Sequence, residues 1–560
     1  MRAEGVPDAG ALQQNLEKQL PAPSPLQLPA PSRAPAPQTE APKPGEATVT
    51  VSSFDLEGVK LVTEDELQSI LKPWLGKPIT FTDLQKACDA IEEYYRSKGY
   101  MVEAIIPPQK VKDGVLLINV TEARLGHVHV ETPEGESRFG PQRAAEYLLE
   151  ANPLGEELDV EAIRRAIIIL NETPGVSATS TLEEGKHEGE TDVRVTLMDT
   201  PMFAGRIEGN NYGSRTTGSQ QGGFSAQANN PSGYGDQATL NGIFSEGSRY
   251  AQAGYNFPLA PNGLRAGVYG TYLNYQNIGE FEQNGGYGSA WMTGINLAYP
   301  LVRLQETNVN ILLNYDFKSY LNENTATQST ISDYQINDLT VGMSGNHYDG
   351  FFGGGVSSAQ INLTYGNLDI SDNSQPGYNS YVNSAAGLTR YTPTNFFKML
   401  VSFTRNQVLI KDETNLIFSL LGQVASGNMN SAEQFYLGGP FGIRSYPIAQ
   451  GNGSQGALGT IEIQQQLPGH FVGSTFFNAG AVQQYVTTYP GWQGMTHANN
   501  TYYLADTGMG LKWFYEGLSV AGMVAWKVGP NPLYSYTGQP VNIDNTTTDP
   551  RFWISGSYYF

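Results

Sequence analysis

One cation stands in the stretch EQFYLGGPFGIRSYP (residues 433–447): Arg444, among glycines and aromatic residues. On an exposed loop any polar side chain would serve there. Buried, a guanidinium needs an acceptor, because an unpaired charge away from water is costly. The chemistry open to Arg444 is therefore that of an anchor, with an ordinary surface arginine as the competing reading. Few other residues are placed for chemistry. Of the six histidines, His127 and His129 of GHVHVE share one face of a strand. A zinc site needs further ligands, so a solvated strand face is the expected reading and no metal is expected. The glycines of GMGLKW lie in an alternating segment with no helix after it, unlike a phosphate-binding loop. No Ser-His-Asp set or nucleophile elbow stands out. The expectation is a protein that is not an enzyme and carries no cofactor.

Composition says what kind of scaffold positions Arg444. Only 16% of the 560 residues are charged, against roughly 25% in soluble domains, yet only 39% are hydrophobic. The surplus lies in 63 glycines, 32 tyrosines and uncharged polar residues. Strands need that mixture when one face meets lipid and the other water. No apolar run approaches the roughly 18 residues of a spanning helix; the longest candidate is AIIIL at 166–170. The net charge of −21 argues against nucleic acid as a partner, since phosphate binding needs a basic face. The single cysteine, Cys88, excludes an intrachain disulfide and sits at an apolar helix position, which suits packing. The opening MRAEGVPDAG lacks the cationic and apolar regions of a signal peptide. That leaves a cytosolic protein or a mature form with an added Met, and the C-terminal half favours the second.

Along the chain, AGALQQNLEKQL places Leu12, Leu16 and Leu20 at i, i+4, i+8, a short helix with a narrow apolar stripe within residues 1–20. Twelve residues make a marginal helix alone, so a disordered tail is the competing reading. Residues 21–46 are Pro-rich and read as an extended, semi-rigid linker. From 47 to about 200 the pattern is soluble α/β. ATVTVSSFDL alternates as a strand, and TEDELQSIL opens with a capping box from Thr63 to Glu66. TDLQKACDAIEEYYRSKGY repeats the device with Thr82 and Gln85 and ends at Gly99. Strands follow at 101–106 and 115–120, joined through Asp113-Gly114. The order strand, helix, helix, strand, strand then recurs, with Ile163, Ala166, Ile167 and Leu170 inward on the last helix. Two small domains, 47–124 and 125–200, stand in tandem.

After Pro201 the period becomes two. In NVNILLNYDF, Val309, Ile311, Leu313, Tyr315 and Phe317 share one face, and Asn308, Asn310, Asn314 and Asp316 the other. Sixteen such segments begin near residues 203, 222, 236, 249, 265, 288, 308, 335, 356, 396, 414, 457, 471, 503, 517 and 551. Short connectors such as KDET, LPGH and YEG follow even-numbered segments, and long polar ones follow odd-numbered segments. That alternation predicts a transmembrane β-barrel over 201–560, and roughly sixteen strands leave a lumen. The polar face would line water. A soluble sandwich or propeller is the competing fold, though sandwiches rarely sustain so many long strands.

The combination resembles the TpsB transporters of two-partner secretion (the ShlB/FhaC/HecB type), within the outer-membrane superfamily that joins POTRA domains to a barrel. YYRSKGYMVEAIIPPQKVKDGVLLINVTEA is similar to the end of a first POTRA domain. NNYGSRTTGSQQGGFSAQANNPSGYGDQATL is similar to the opening barrel strands. LGGPFGIRSYP resembles the tip of the long loop between strands 11 and 12, and STFFNAG a wall strand that faces it. The resemblance implies that this loop folds into the lumen, with Gly438, Gly439, Gly442, Ile443, Arg444, Ser445 and Tyr446 at its tip. It implies that Arg444 pairs with an acidic residue of the inner wall, and that the helix of Leu12, Leu16 and Leu20 plugs the pore. Two positions depart from the pattern. Ser445 stands where Gly is usual and must accommodate a Cβ. Asn478 stands where the partner is usually acidic, so Arg444 is left with an amide oxygen or with another wall residue such as Glu462. Phe476 and Gly480 flank Asn478.

The implied function is capture of an unfolded secreted TpsA-type exoprotein, a β-helical adhesin or hemolysin, in the periplasm and its passage through the barrel to the cell surface without ATP. The partners are that exoprotein and outer-membrane lipid, and the transporter is monomeric. A membrane-protein insertase and a passive porin are the alternatives. Two POTRA-like units together with a tethered helix favour export, and a porin leaves the tandem domains unexplained.

Overall fold

The computed structural model describes residues 7–20, 48–133, 135–383, 387–493, 498–534 and 538–560; the Pro-rich stretch 21–46 lies outside them. The chain begins with α1 (Ala9–Glu17), which belongs to the site below. The first small unit contains β1 (Thr48–Thr50), β2 (Ser53–Glu57), α2 (Glu64–Leu71), β3 (Pro78–Thr80), α3 (Phe81–Ser97), β4 (Val102–Ile105) and β5 (Val115–Glu122). Its sheet has the order β2-β5-β4, with β2 parallel and β4 antiparallel to β5. Leu67, Leu71, Leu84, Ala87, Cys88, Ile91 and Tyr95 pack beneath it. The alternating stretch expected as one strand is broken. Gly76 N–H donates to Val51 O and Ser52 N–H to Gly114 O, so β1 is free to pair with β3 in a separate ribbon.

The second unit repeats the order with β6 (Arg124–Glu131), α4 (Pro141–Ala151), α5 (Val160–Glu172), β7 (Val176–Glu184) and β8 (Glu190–Asp199). Its sheet order is β6-β8-β7. Glu66 caps α2 as expected, accepting the Thr63 N–H at 3.0 Å. The box on α3 lies two residues earlier than Thr82 and Gln85 predict. Thr80 Oγ1 accepts from Asp83 N–H, and the Asp83 carboxylate accepts from Thr80 N–H, each at 3.2 Å. Thr80 is the residue that leaves β3 with extended backbone, which an N-cap requires.

Sixteen antiparallel strands then close on themselves. Strands 1–8 are Phe203–Asn210, Gln221–Asn229, Gln237–Phe244, Ser248–Pro258, Arg265–Gln276, Gly286–Arg303, Thr307–Asn324 and Ser329–Asp349. Strands 9–16 are Gly355–Ile370, Asn395–Ile410, Thr414–Ala425, Gln455–Leu467, Phe471–Gln483, Thr501–Tyr515, Leu518–Lys527 and Arg551–Tyr559. Strand 16 pairs with strand 1, from Ser555 against Asn210 to Tyr559 against Arg206. The alternation is as read from sequence: Ile311, Leu313 and Tyr315 are exposed on the outer, lipid face, while Asn308 and Asp316 are buried within. Strand 8 starts at Ser329, earlier than the expected 335, because its ladder continues through polar residues where no apolar face marks it.

Because β8 leads straight into strand 1, connections after even-numbered strands lie at the near end, beside the small domains. Those after odd-numbered strands lie at the far end. The second domain is fastened to the near-end turns. Arg303, 4% exposed, is ion-paired with Glu172 of α5. Arg138 donates to Asp199, to Thr200 O at 2.7 Å and to Asn229 O at 3.1 Å. The lumen differs from the polar interior expected. One sector is lined by Ile243, Tyr250, Leu273, Tyr275, Tyr320, Tyr334, Ile336, Leu368 and Phe396, and α1 covers it.

Candidate functional site

Among the described residues, two elements enter the lumen and meet its wall. The first is α1. Asp8 caps it, accepting the Ala11 N–H at 3.0 Å. Leu12 and Leu16, each 4% exposed, enter the aromatic sector of the wall, and Leu20 packs at its margin. The polar face of α1 is matched as well. Ala9 N–H donates to Asn322 Oδ1 at 2.9 Å, and Gln13 Nε2 to Thr271 Oγ1 at 3.0 Å. Short helices are weak alone; this one is held by burial and by wall hydrogen bonds.

The second element is the connection between strands 11 and 12, residues 426–454. It starts with a tight turn at Ser431–Glu433 and is closed at its root by Phe435–Tyr436 pairing with Asn452–Gly453. Beyond the root the chain doubles back. Ile443 N–H donates to Leu437 O at 2.7 Å and Gly439 N–H to Tyr446 O at 3.1 Å. Gly439 has φ +113, and a Cβ on Gly442 would lie 2.0 Å from Leu437 O, so the glycines at the tip answer to backbone geometry. Ile443, Ser445 and Tyr446 are fully buried.

The tip meets the wall through Arg444. Its Nη2 donates to Glu462 Oε2 at 2.7 Å, and its guanidinium carbon stands 3.9 Å from the ring centroid of Phe476. Asn478 does not receive the guanidinium. It donates to Asp506 Oδ1 at 2.6 Å and accepts from Thr460 Oγ1 at 2.8 Å. Asp506 Oδ2 accepts the Ser445 N–H at 2.6 Å. Two carboxylates thus hold the tip, Glu462 on the side chain of Arg444 and Asp506 on the main chain beside it. Ser445 is not among the residues with positive φ, so its Cβ fits without backbone strain. Gly480 makes room: a Cβ there would come 2.5 Å from Leu437 Cδ2.

Several participants went unmarked in the sequence reading. Trp553 Nε1 donates to Arg444 O at 2.7 Å, and Tyr212 stacks edge-on with both Trp553 and Phe441. Glu433, 1% exposed, is ion-paired with Lys318 at 2.7 Å and with Lys398; Lys318 also meets Asp338 at 2.6 Å. Parity carries part of this signal: Asp506 falls on the inner face with Tyr502 and Leu504, and Lys398 opposite outer Phe397. Nothing local marks Glu433 as their partner. The two lumenal elements also touch each other. Asp8 Oδ2 accepts the Ser431 O–H at 2.6 Å, Gln14 Nε2 donates to Ala432 O at 3.2 Å, and a Cβ on Gly10 would lie 2.8 Å from Ala432 Cβ.

A POTRA domain of the ShlB type matches residues 49–123. The family of haemolysin secretion/activation proteins ShlB/FhaC/HecB matches residues 189–513, more than half of the chain. The chain belongs to this family. It is a TpsB-type outer-membrane transporter of two-partner secretion, and the family's members are transporters that work with secreted exoprotein partners. Across 99% of its length this ShlB/FhaC/HecB member is 25% identical to the heme/hemopexin transporter protein HuxB of Haemophilus influenzae, covering 95% of that protein. In fold it is similar to CdiB from Escherichia coli, with a TM-score of 0.69 at 19% identity, covering 98% of this chain and 95% of that one. CdiB from Acinetobacter baumannii gives a TM-score of 0.64 at 16% identity, covering 98% and 96%.

Proposed function

We propose that this transporter takes one unfolded exoprotein of the TpsA type from the periplasm, through its two POTRA domains at 47–124 and 125–200, and passes it through the barrel to the cell surface without ATP. The observation that carries the proposal is that, among the described residues, α1 and the 426–454 connection both lie in the lumen against its wall. Both are held by side chains and packing and neither by a covalent bond. A pore built this way is closed at rest and can be cleared by a chain that competes for the same contacts.

Capture has a physical route. β7 is an edge strand. The Asn171 amide closes its outer side at Ala178, bonding both main-chain groups. From Ser180 onward the edge is open, with Thr179, Ser180 and Thr181 exposed. An extended chain can add there as a strand; main-chain hydrogen bonds supply affinity without demanding a sequence, which suits a long and varied cargo. The near end and both domains then lie in the periplasm, and the far-end loops at the cell surface. The test is deletion of residues 47–125. Secretion of the cognate exoprotein is expected to stop while the barrel still assembles and bulk outer-membrane proteins are unaffected. A general failure of outer-membrane assembly would replace export with an insertase role.

A further inference from the structure

The tip of the 426–454 connection carries a phenylalanine that its own packing does not use. Phe441 is 57% exposed, while Leu437, Ile443 and Tyr446 around it are fully buried. A lone exposed apolar residue is ordinary on an outer surface; this one faces the pore. It lines a cavity of about 50 Å³ together with Leu421 and Leu458 of the inner wall and with Tyr436 and Ile448 of its own connection. Lipid does not reach a ring placed there. The ring is also backed. Tyr212 meets it edge-on with centroids 5.7 Å apart, and Trp553 meets Tyr212 in turn at 5.9 Å. The Tyr212 O–H donates to Ser555 Oγ at 3.1 Å, so the three-ring stack rests on strand 16.

The other wall of the cavity does not match. It is formed by Asn15 of α1 and by Lys18 and Gln19 just after it, with Lys18 Nζ 5.5 Å from the ring centroid of Tyr436. Polar side chains leave the apolar wall short of close partners, and a space remains where matched surfaces would pack. The apolar stripe of α1 is committed elsewhere, since Leu12 and Leu16 enter the aromatic sector of the barrel. Release of α1, which the export route calls for, takes that polar wall away. What is left is an apolar patch around Phe441, beside the bare backbone of Gly438, Gly439 and Gly442. We propose that Phe441 and this patch grip apolar side chains of the exported chain as it passes. An unfolded, extended polypeptide presents such side chains one after another. Contact with a ring face or edge demands no particular sequence and is weak enough to let each side chain go. The grip rests on the reading of the barrel as the export route.

The test uses the full chain in planar bilayers and two designed peptides of equal length and charge. One carries phenylalanine at regular intervals, and the other carries serine at the same positions. Each is presented at the near end, and the time for which it blocks an open channel is measured. The phenylalanine peptide is expected to block roughly fivefold longer, the size of an aromatic contact. Phe441→Ser is expected to bring the two blocking times together, and Phe441→Trp to keep them apart, with both variants checked as folded barrels by electrophoretic mobility before and after heating. Where α1 keeps the channel shut, the same comparison on a chain lacking residues 7–20 reads the site. Equal blocking times in the parent overturn the grip. So does a difference that Phe441→Ser leaves untouched, which would move the contact to the aromatic sector of the wall. Neither outcome bears on the export route itself, which stands or falls by the deletion of residues 47–125.

Discussion

Arg444 is held in three ways: a charge-assisted bond to Glu462, a cation–π contact with Phe476, and a main-chain bond from Trp553. Arg444→Ala leaves Glu462, whose side chain is 12% exposed, without its cation. Breaking a buried pair costs about 3 kcal/mol or more, which shifts the ratio of anchored to released tip by roughly a hundredfold. The expected result is a folded barrel with sharply lower secretion and a 426–454 connection newly open to protease. Arg444→Lys keeps the charge but not the planar ring contact, so it should fall between. Unchanged secretion in both would remove the anchor from the mechanism. A second residue-scale expectation concerns Cys88. Burial, with help from Glu92 and Asp89, pushes its thiol up to about 11. It should therefore resist alkylation at pH 7.5 until the first domain unfolds, read by mass shift with and without denaturant. The tip was legible as far as its own residues: Gly438 to Tyr446 and the candidates Glu462 and Phe476 are where the chain brings them together. Asn478 supports Asp506 rather than Arg444. Asp506 could be read as lumenal by parity, but a contact 61 residues away along the chain leaves no local mark.

At the scale of elements, the sequence reveals most where one face is uniform. The barrel strands began close to where their apolar alternation did, because lipid imposes one rule on every outer position. Strand 8 escaped where polar residues carry the ladder on. The α3 cap escaped because two overlapping boxes, Thr80 to Asp83 and Thr82 to Gln85, compete in six residues, and only the exit geometry of β3 decides. The aromatic sector under α1 was invisible for a related reason: inner positions answer to whatever fills the lumen, not to a common solvent. That sector makes α1 separable from its own helix propensity. Gly10 sits against Ala432 with no space for a Cβ. Gly10→Ala stabilises the isolated helix by roughly 1 kcal/mol, yet it should push α1 off the turn at Ser431–Glu433. In planar bilayers, Gly10→Ala and deletion of residues 7–20 should both raise open-channel conductance above the parent. If Gly10→Ala instead lowers it, helix formation and not fit to the loop governs the plug.

On the scale of the whole molecule, the proposed route has the second domain hand a chain to the barrel mouth, and a stiff joint would keep the two aligned. Arg303 with Glu172 supplies one fastening. Arg138 supplies the other, tying Asp199 at the end of β8 to the turn after strand 2 through Asn229 O. Burial alone would raise the Asp199 carboxyl. The Ser137 hydroxyl, the Arg138 N–H and the Arg138 guanidinium outweigh it and hold it below the usual carboxylate range. A carboxyl depressed in the folded state contributes stability that is fully present above its unfolded value, about 3.9, and is lost as pH falls through the folded value. The joint should therefore be unchanged from pH 8 to 5 and loosen only in stronger acid. Spin labels on the second domain and the barrel rim should give one narrow distance distribution over pH 8 to 5, broadening only below about pH 4, as protons begin to compete for the carboxyl. Asp199→Asn should be broad at pH 7.5 already and insensitive to acid thereafter. A variant as narrow as the parent at neutral pH would assign the stiffness to Arg303 and Glu172 alone, and Glu172→Gln would then be the substitution that frees the domain.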